Sequence, residues 1–122
     1  MSFIAHDILE NLDSMSRSQI DYLPFGAIKV DGAGVTQIYN RTQAQFAGIP
    51  PNEAEGRNWF TDVAPCANNR MFFGRFQKGV EAGKLDAEFR YTFTYKLKPT
   101  IVSIKMFQSA AGAYWIFVRI PS

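Results

Sequence analysis

The sequence predicts an α+β fold, in which one five-stranded antiparallel sheet is covered by helices on one face. Residues 85–97 alternate apolar and polar side chains almost without fault, which is typical of a strand with one buried and one solvated face. Apolar segments at 101–107 and 114–118 follow after turns, so the chain closes with three consecutive antiparallel strands. A hairpin over residues 26–39 supplies the other two strands.

The N-terminal residues 3–12 have the pattern of one or two short amphipathic helices. Their apolar side chains recur at helical spacing, and acidic and amide side chains fall on the other side. Two interpretations stay open: a cap over the sheet, or a segment that leaves when a signal arrives. The sequence favours the cap, although short helices take most of their stability from packing.

Turn and capping residues place the elements that follow. Residues 31–34 form a turn by composition, between strands at 27–30 and 35–39. Asn40 is a good N-cap for a short helix over residues 41–46.

Two further helical segments and a central strand complete the predicted fold. Residues 50–54 give a short helical turn, and Asn69 is predicted to cap the longest helix, roughly 70–82, which Gly83 ends. One face of this helix is apolar and carries Phe72, Phe73, Phe76 and Val80. Residues 114–118 are apolar on both faces, which predicts a central strand.

The totals of the chain bound its class. With 122 residues, 47% of them apolar, we expect a single domain over 1–122, with an N-terminal cap at 1–24 and a core at 25–122. A net charge of +2 without a local basic cluster argues against a nucleic-acid partner. No apolar run approaches the ~18 residues of a membrane span, and the N-terminus lacks the pattern of a secretory signal. These features predict a cytoplasmic protein.

The only cysteine, Cys66, follows Pro65 in a segment that we predict to be non-helical, because proline lacks an amide donor and moves Ala64 out of the α region. Aromatic residues flank it on both sides, namely Trp59, Phe60, Phe72 and Phe73. Composition leaves two interpretations open: a buried small hydrophobe, or a thiol that carries a group. A single cysteine fits a reducing compartment, since it forms no internal disulfide.

Two other thiol chemistries are disfavoured. One cysteine and one histidine, His6, do not supply the usual ligand set of zinc. A thiol enzyme needs an activating base, and nothing in the sequence pairs His6 with Cys66. We therefore expect neither a metal site nor an enzyme.

The element order resembles a PAS domain, and the local sequences resemble the photoactive yellow proteins within that fold. The segments that carry the resemblance are Phe25-Gly26-Ala27-Ile28, Tyr39-Asn40, Gly56-Arg57-Asn58-Trp59-Phe60, Asp62-Val63-Ala64-Pro65-Cys66, Tyr91-Thr92-Phe93-x-Tyr95 and Tyr114-Trp115-Ile116-Phe117-Val118. The resemblance runs nearly end to end. The segment ending in Pro65-Cys66 is its most specific part, because ordinary PAS domains do not need a cysteine there.

The resemblance implies a blue-light photoreceptor. In this family the cysteine, here Cys66, carries p-coumaric acid (4-hydroxycinnamic acid) as a thioester, held as a phenolate. Light isomerises its vinyl bond from trans to cis, the phenolate is then protonated, and the N-terminal segment loosens. The implied partners are this covalent chromophore and a downstream signalling protein that the sequence does not name. We expect a monomer or weak dimer that binds neither nucleic acid nor membrane.

A buried phenolate needs hydrogen bonds to offset its loss of hydration. The family's tyrosine donor matches Tyr39, and Gln43 stands where the best-known members have a neutral glutamic acid. An amide is a weaker donor that leaves more charge delocalised over the chromophore, so we expect absorption to the red of the glutamate-bearing members. Because Gln43 cannot give up a proton, no buried carboxylate forms there, and later photocycle steps are expected to differ in rate.

Three further positions depart from the family. Ala47 replaces a threonine that often bonds the tyrosine, and Ile49 replaces an arginine that often shields the pocket. Leu97 replaces a methionine that helps the chromophore return to trans, so slower recovery is expected. The rest of the pocket, matched by position and equally well explained as core, is Ile28, Val30, Trp59, Val63, Ala64, Phe93 and Tyr95. The alternative is a PAS ligand-binding or protein-interaction module without the chromophore, with a free thiol at Cys66.

Overall fold

The computed structural model describes residues 3–94 and 99–120. It contains five strands, which are β1 (Gly26–Val30), β2 (Thr36–Tyr39), β3 (Asp86–Phe93), β4 (Thr100–Gln108) and β5 (Tyr114–Arg119). They form one antiparallel sheet in the order β2-β1-β5-β4-β3. The predicted five-stranded antiparallel sheet is confirmed, and the strand that is apolar on both faces is central. The predicted continuation of β3 through Leu97 falls partly on residues 95–98, outside the described residues.

The α-helices within the described residues are short. They are α1 (His6–Asn11), α2 (Arg17–Asp21), α3 (Arg41–Ala47), α4 (Pro51–Ala54) and α5 (Phe73–Ala82). Asn40 caps α3 as predicted, because its side chain accepts a hydrogen bond from the Gln43 amide at 3.0 Å. Ser16 caps α2 in a capping box with Gln19.

The prediction for the start of the longest helix was wrong by three residues. The helix α5 begins at Phe73, and Asn69 instead accepts a hydrogen bond from the Phe72 amide at 2.9 Å in the turn before it. An asparagine can satisfy a free amide in a turn as well as at a helix start. Gly83 ends the helix in the left-handed conformation, as predicted.

The segment around Cys66 also differs from its prediction. Ala64 lies outside the α region as expected, with φ −129° and ψ 68°. The residues on either side are helical, however: Trp59–Val63 form one wide π-type turn, and Pro65–Ala67 form a 3-10 turn that contains Cys66. Proline fits the first turn of a helix because it needs no amide donor there. Pro65 therefore starts a turn where we predicted a non-helical segment.

Helices cover both faces of the sheet, whereas the sequence predicted helices on one face, and β3 keeps an exposed outer side. The inner face, with Ile28, Ile104 and Ile116, packs against α3–α5 and the turns around Cys66. The outer face, with Ala27, Trp115 and Phe117, packs against the N-terminal cap, of which residues 3–24 are described. The cap's buried side chains there are Ile4, Leu12, Ile20 and Leu23. In the structure, the N-terminal helices are therefore docked on the sheet.

Candidate functional site

One small cavity on the inner face brings together residues from four parts of the chain. Its walls come from the end of β2, from α3 and the loop that follows it, from the turns around Cys66, and from the end of β3. The lining residues are Tyr39, Gln43, Phe46, Ala47, Ile49, Trp59, Val63, Ala64, Cys66 and Phe93. The lone thiol and two polar groups thus meet in surroundings that are otherwise apolar.

Tyr39 is fixed by its main chain as well as by packing. Its amide donates to Glu55 Oε2 at 3.0 Å, and its carbonyl accepts from Arg17 Nη2 at 3.2 Å. The side chain is fully buried. Burial raises the pKa of Tyr39 to about 12, and a side-chain hydrogen bond from Gln43 partly opposes this rise. Tyr39 is therefore a neutral phenol at physiological pH and can donate a hydrogen bond.

Gln43 lies inward because a glycine leaves room for it. A Cβ atom added to Gly26 would lie 2.0 Å from Gln43 Oε1 and 3.2 Å from Gln43 Cβ, so a larger residue there would displace the amide. Gln43 is 3% exposed. Sequence reasoning gave Gly26 no role, because nothing in the sequence signals a close approach between β1 and α3.

Two buried polar atoms at this cavity have no hydrogen-bond partner within the described residues. They are Gln43 Oε1 and Trp59 Nε1. An unsatisfied buried group costs about 1–3 kcal/mol, and such atoms are rare enough in folded proteins to need an explanation. The Tyr39 hydroxyl, the Gln43 Nε2 group and Trp59 Nε1 are donors, whereas the unpaired Gln43 Oε1 is an acceptor. Together with a thiol in the same lining, these groups suit a small apolar molecule that carries one polar end.

The loop that carries Cys66 is held by its carbonyl. Tyr91 on β3 donates its hydroxyl to the Cys66 carbonyl, and Asn69 Nδ2 lies 3.3 Å from the same oxygen. Asn69 Nδ2 also lies 2.5 Å from the Tyr91 hydroxyl. The Cys66 side chain is free and half-buried. Sequence reasoning missed the role of Tyr91, although its inward position in the alternation of β3 was visible.

The cavity is small. Its volume is about 20 Å³, which is room for roughly one water molecule. A bound aryl group therefore requires the wall to move, and the half-buried lining residues, which include Phe46 and Ile49, are the parts of the wall that reach solvent. Phe46 is a lining residue that sequence reasoning missed, because the short predicted helix did not say which of its side chains face inward.

The structure brings most of the predicted pocket residues to this cavity. Ala47, Ile49, Trp59, Val63, Ala64 and Phe93 line it together with Tyr39, Gln43 and Cys66. Ile28 and Val30 are fully buried in the surrounding core but are not among the lining residues. Tyr95 and Leu97 lie outside the described residues. Contact of these four residues with a ligand stays a prediction.

Residues 3–94 and 99–120 contain no cluster of three or more histidine, cysteine or acidic side chains that could hold a metal ion. Over the same residues, no helix is both long and apolar enough to cross a membrane.

Comparison with known proteins gives close relatives. The photoactive yellow protein of Rhodothalassium salexigens is 40% identical over 120 residues, covering 98% of this chain and 96% of the relative. That of Halochromatium salexigens is 40% identical over 118 residues, covering 96% and 94%. No family model matches the chain.

A solved structure agrees with these relatives. The photoactive yellow protein domain of the sensor histidine kinase Ppr from Rhodospirillum centenum superposes with a TM-score of 0.87 at 46% identity, covering 92% of this chain and 99% of that domain. Both comparisons thus extend over nearly the whole length of the chain.

Proposed function

The chain belongs to the photoactive yellow protein family of photoreceptors with a PAS fold, and we propose that it senses blue light through p-coumaric acid held as a thioester on Cys66. The observation that carries the proposal is the meeting of the lone thiol with Tyr39 and Gln43 in one apolar cavity. Light-driven trans–cis isomerisation is the chemistry that this chromophore supplies when bound.

The chain's own residues have distinct roles in this proposal. The Tyr39 hydroxyl and the Gln43 amide donate hydrogen bonds to the phenolate oxygen, which offset the cost of burying a charge. Trp59, Val63 and Phe93 exclude water from the apolar part of the site. The Tyr91 hydroxyl and Asn69 orient the Cys66 loop through its carbonyl.

Gln43 determines how this chain departs from relatives with a glutamic acid at the same place. An amide cannot ionise at ordinary pH, so it supplies no proton to the phenolate and leaves no charge behind it. The proton taken up after isomerisation must then come from water or from another group. Because the amide is also the weaker donor, absorption lies to the red of a Gln43→Glu variant.

The visible spectrum of protein incubated with activated p-coumaric acid tests this proposal. We expect a blue-region band in the wild type and in Gln43→Glu, with the variant's band at shorter wavelength, and no band in Cys66→Ser. A band that survives Cys66→Ser would overturn the thioester, and a band at longer wavelength in Gln43→Glu would overturn the argument from donor strength.

A second candidate is a PAS-fold module that binds another ligand or a protein and carries no chromophore. The small cavity of about 20 Å³ and the apolar residues Ala47 and Ile49 favour it. Its marker is a Cys66 thiol that still reacts with a thiol reagent after incubation with activated p-coumaric acid, and no visible band.

We further propose that the output is a protein–protein signal. The Rhodospirillum centenum domain is part of a sensor histidine kinase, which makes a signalling protein the natural class of partner.

A further inference from the structure

The main-chain amide and carbonyl of Tyr39 form hydrogen bonds with side chains from other elements, on the side of β2 that faces away from β1. β2 lies at one edge of the sheet, and beside Tyr39 the bond to β1 runs from the Asn40 amide to the Ala27 carbonyl at 3.0 Å. The Tyr39 amide donates instead to Glu55 Oε2, and its carbonyl accepts from Arg17 Nη2. An edge strand otherwise leaves such groups to solvent.

The two side chains also bond each other. Arg17 Nη2 lies 2.8 Å from Glu55 Oε2. We call Arg17, Glu55 and the main chain of Tyr39 the Tyr39 clip. Arg17 belongs to α2 in the N-terminal cap, and Glu55 follows α4 on the inner face. The clip therefore joins the cap, the edge strand and the helical layer at the residue whose side chain lies in the cavity.

Neighbouring contacts run between the same elements. Asp21 on α2 lies 3.4 Å from Arg17 and accepts from the Arg41 amide at the start of α3, at 3.0 Å. The Asn40 side chain donates to the Ile20 carbonyl at 2.8 Å. A shift of the main chain at Tyr39 and Asn40 therefore reaches both ends of α2.

An exposed ion pair by itself contributes little to stability, and the Arg17 and Glu55 side chains are 43% and 28% exposed. The Tyr39 clip differs from such a pair because the same two atoms also bond the main chain of a buried residue. Breaking it leaves an amide and a carbonyl of Tyr39 without their protein partners. Its loss is therefore expected to displace the main chain of Tyr39 and to weaken the docking of α2.

We propose that Arg17 is a positioning residue that couples the N-terminal cap to the cavity through the main chain of Tyr39. The proposal rests on the proposed function for its light dependence. A displacement of Tyr39 during light activation lengthens the bonds to Arg17 and Glu55 together, and α2 loses its attachment to the edge strand. Coupling of this kind is reciprocal, so loss of Arg17 also changes the environment of the cavity in the dark.

The first arm of the test uses chromophore-free protein. Arg17→Met should raise hydrogen exchange of amides 17–23 roughly tenfold, the effect of losing a hydrogen bond to a charged group. It should also shift the side-chain amide resonances of Gln43. Arg57→Met is the matched control, because Arg57 is an exposed arginine that bonds β2 through its main-chain carbonyl, and it should change neither readout.

A charge-swapped double variant distinguishes the effect of the hydrogen bonds to the Tyr39 main chain from the effect of the ion pair between residues 17 and 55. Arg17→Glu combined with Glu55→Arg can restore the attraction, but glutamate cannot donate to the Tyr39 carbonyl and arginine cannot accept from its amide. We expect the double variant to behave like Arg17→Met in both readouts. The proposal is overturned if amides 17–23 of the double variant exchange at the wild-type rate. It is also overturned if the side-chain amide resonances of Gln43 do not shift in Arg17→Met.

The second arm uses chromophore-loaded protein in darkness and under blue light. In the wild type, illumination should raise exchange over residues 17–23, and in Arg17→Met this light-induced increase should fall to less than half. Equal increases in both overturn the coupling while leaving the photoreceptor function intact. If Cys66 takes up no chromophore, the proposed function fails, and the chromophore-free arm still decides whether Arg17 couples cap and cavity.

Discussion

The two faces of the sheet bury similar apolar side chains but are held by different interactions. On the inner face the aromatic rings contact one another directly, with Phe60 stacked on Phe73 at 4.3 Å and 5.1 Å from Trp59. On the outer face rings also meet, with Phe25 5.6 Å from Phe117, but α1 has no fully buried residue, and polar side chains help to attach the N-terminal cap. Asp13 accepts from the Ser109 hydroxyl at 2.6 Å and from the Ala111 amide at 2.8 Å.

This difference indicates which part of the molecule can move. Apolar burial increases with contact area and resists local change, whereas a segment with few buried contacts and exposed hydrogen bonds opens at lower free energy. The aromatic packing of the inner face can therefore persist while the cap undocks.

The largest effect is expected from a loss of packing on the inner face. Phe76 is fully buried, and its ring lies 5.0 Å from Phe60 and 5.8 Å from Tyr114. Phe76→Ala should lower the free energy of unfolding by about 3–5 kcal/mol, because the neighbouring side chains cannot fill the cavity that it leaves. Urea denaturation followed by tryptophan fluorescence measures the loss.

Leu12→Ala is the matched change on the outer face, since Leu12 is 2% exposed. If the cap stayed docked, Leu12→Ala would lower the free energy of unfolding by about 2–5 kcal/mol. We expect less than about 2 kcal/mol, because the cap can undock before the sheet unfolds and its docking free energy limits the loss. A loss as large as that of Phe76→Ala would contradict the contrast between the faces.

A smaller effect is expected where β1 meets α3. Gly26→Ala places a methyl group 2.0 Å from Gln43 Oε1, so the amide must leave its inward position. We expect the free energy of unfolding to fall by about 1–3 kcal/mol. Gln43→Ala in the Gly26→Ala background should recover most of that loss, since it removes the atoms that clash. Additive losses in a double-mutant cycle would show that the two residues do not compete for the same space.

The cap's attachment at Asp13 should matter less again. Asp13→Ala removes two hydrogen bonds near the β4–β5 turn and should weaken cap docking by about 1 kcal/mol. Limited proteolysis within residues 3–24 should accelerate, while the global unfolding midpoint stays almost unchanged. An equal fall in the global midpoint would mean that cap and sheet unfold as one unit.

Tyr39 gives a pH test of the inner face. Unfolded tyrosine ionises near pH ~10, and burial raises the pKa of Tyr39 to about 12 in the fold, although the Gln43 hydrogen bond lowers it in part. Its contribution to stability is therefore complete below pH ~10 and is lost as the pH rises through the folded value.

An ultraviolet difference titration of wild type against Tyr39→Phe measures this pKa. Gln43→Leu should raise it further, because the opposing hydrogen bond is gone. Ionisation of Tyr39 near the ordinary tyrosine value of ~10 would contradict the burial argument.

Much of the fold could be predicted because it depends on local periodicity. The alternation of β3 and the two apolar faces of β5 are properties of short segments, and they gave the sheet and its central strand correctly. The start of α5 was predicted too early because an asparagine side chain such as that of Asn69 can accept a main-chain hydrogen bond in a turn as well as at a helix start.

Residues at the site were predictable where a resemblance matched them and hidden where a contact between distant segments defines them. Cys66, Tyr39 and Gln43 belong to the first group. Gly26 and Arg17 belong to the second, since the space beside Gln43 and the bond to the Tyr39 carbonyl exist only once the chain has folded. No local pattern reports such contacts.

We expect Cys66 to carry p-coumaric acid, and the mass of the intact protein after incubation with activated p-coumaric acid measures whether it does. We predict a single added p-coumaroyl group, located by peptide mapping on the peptide that contains Cys66 and absent in Cys66→Ala. An unmodified wild type, or an equal adduct in Cys66→Ala, would contradict the claim.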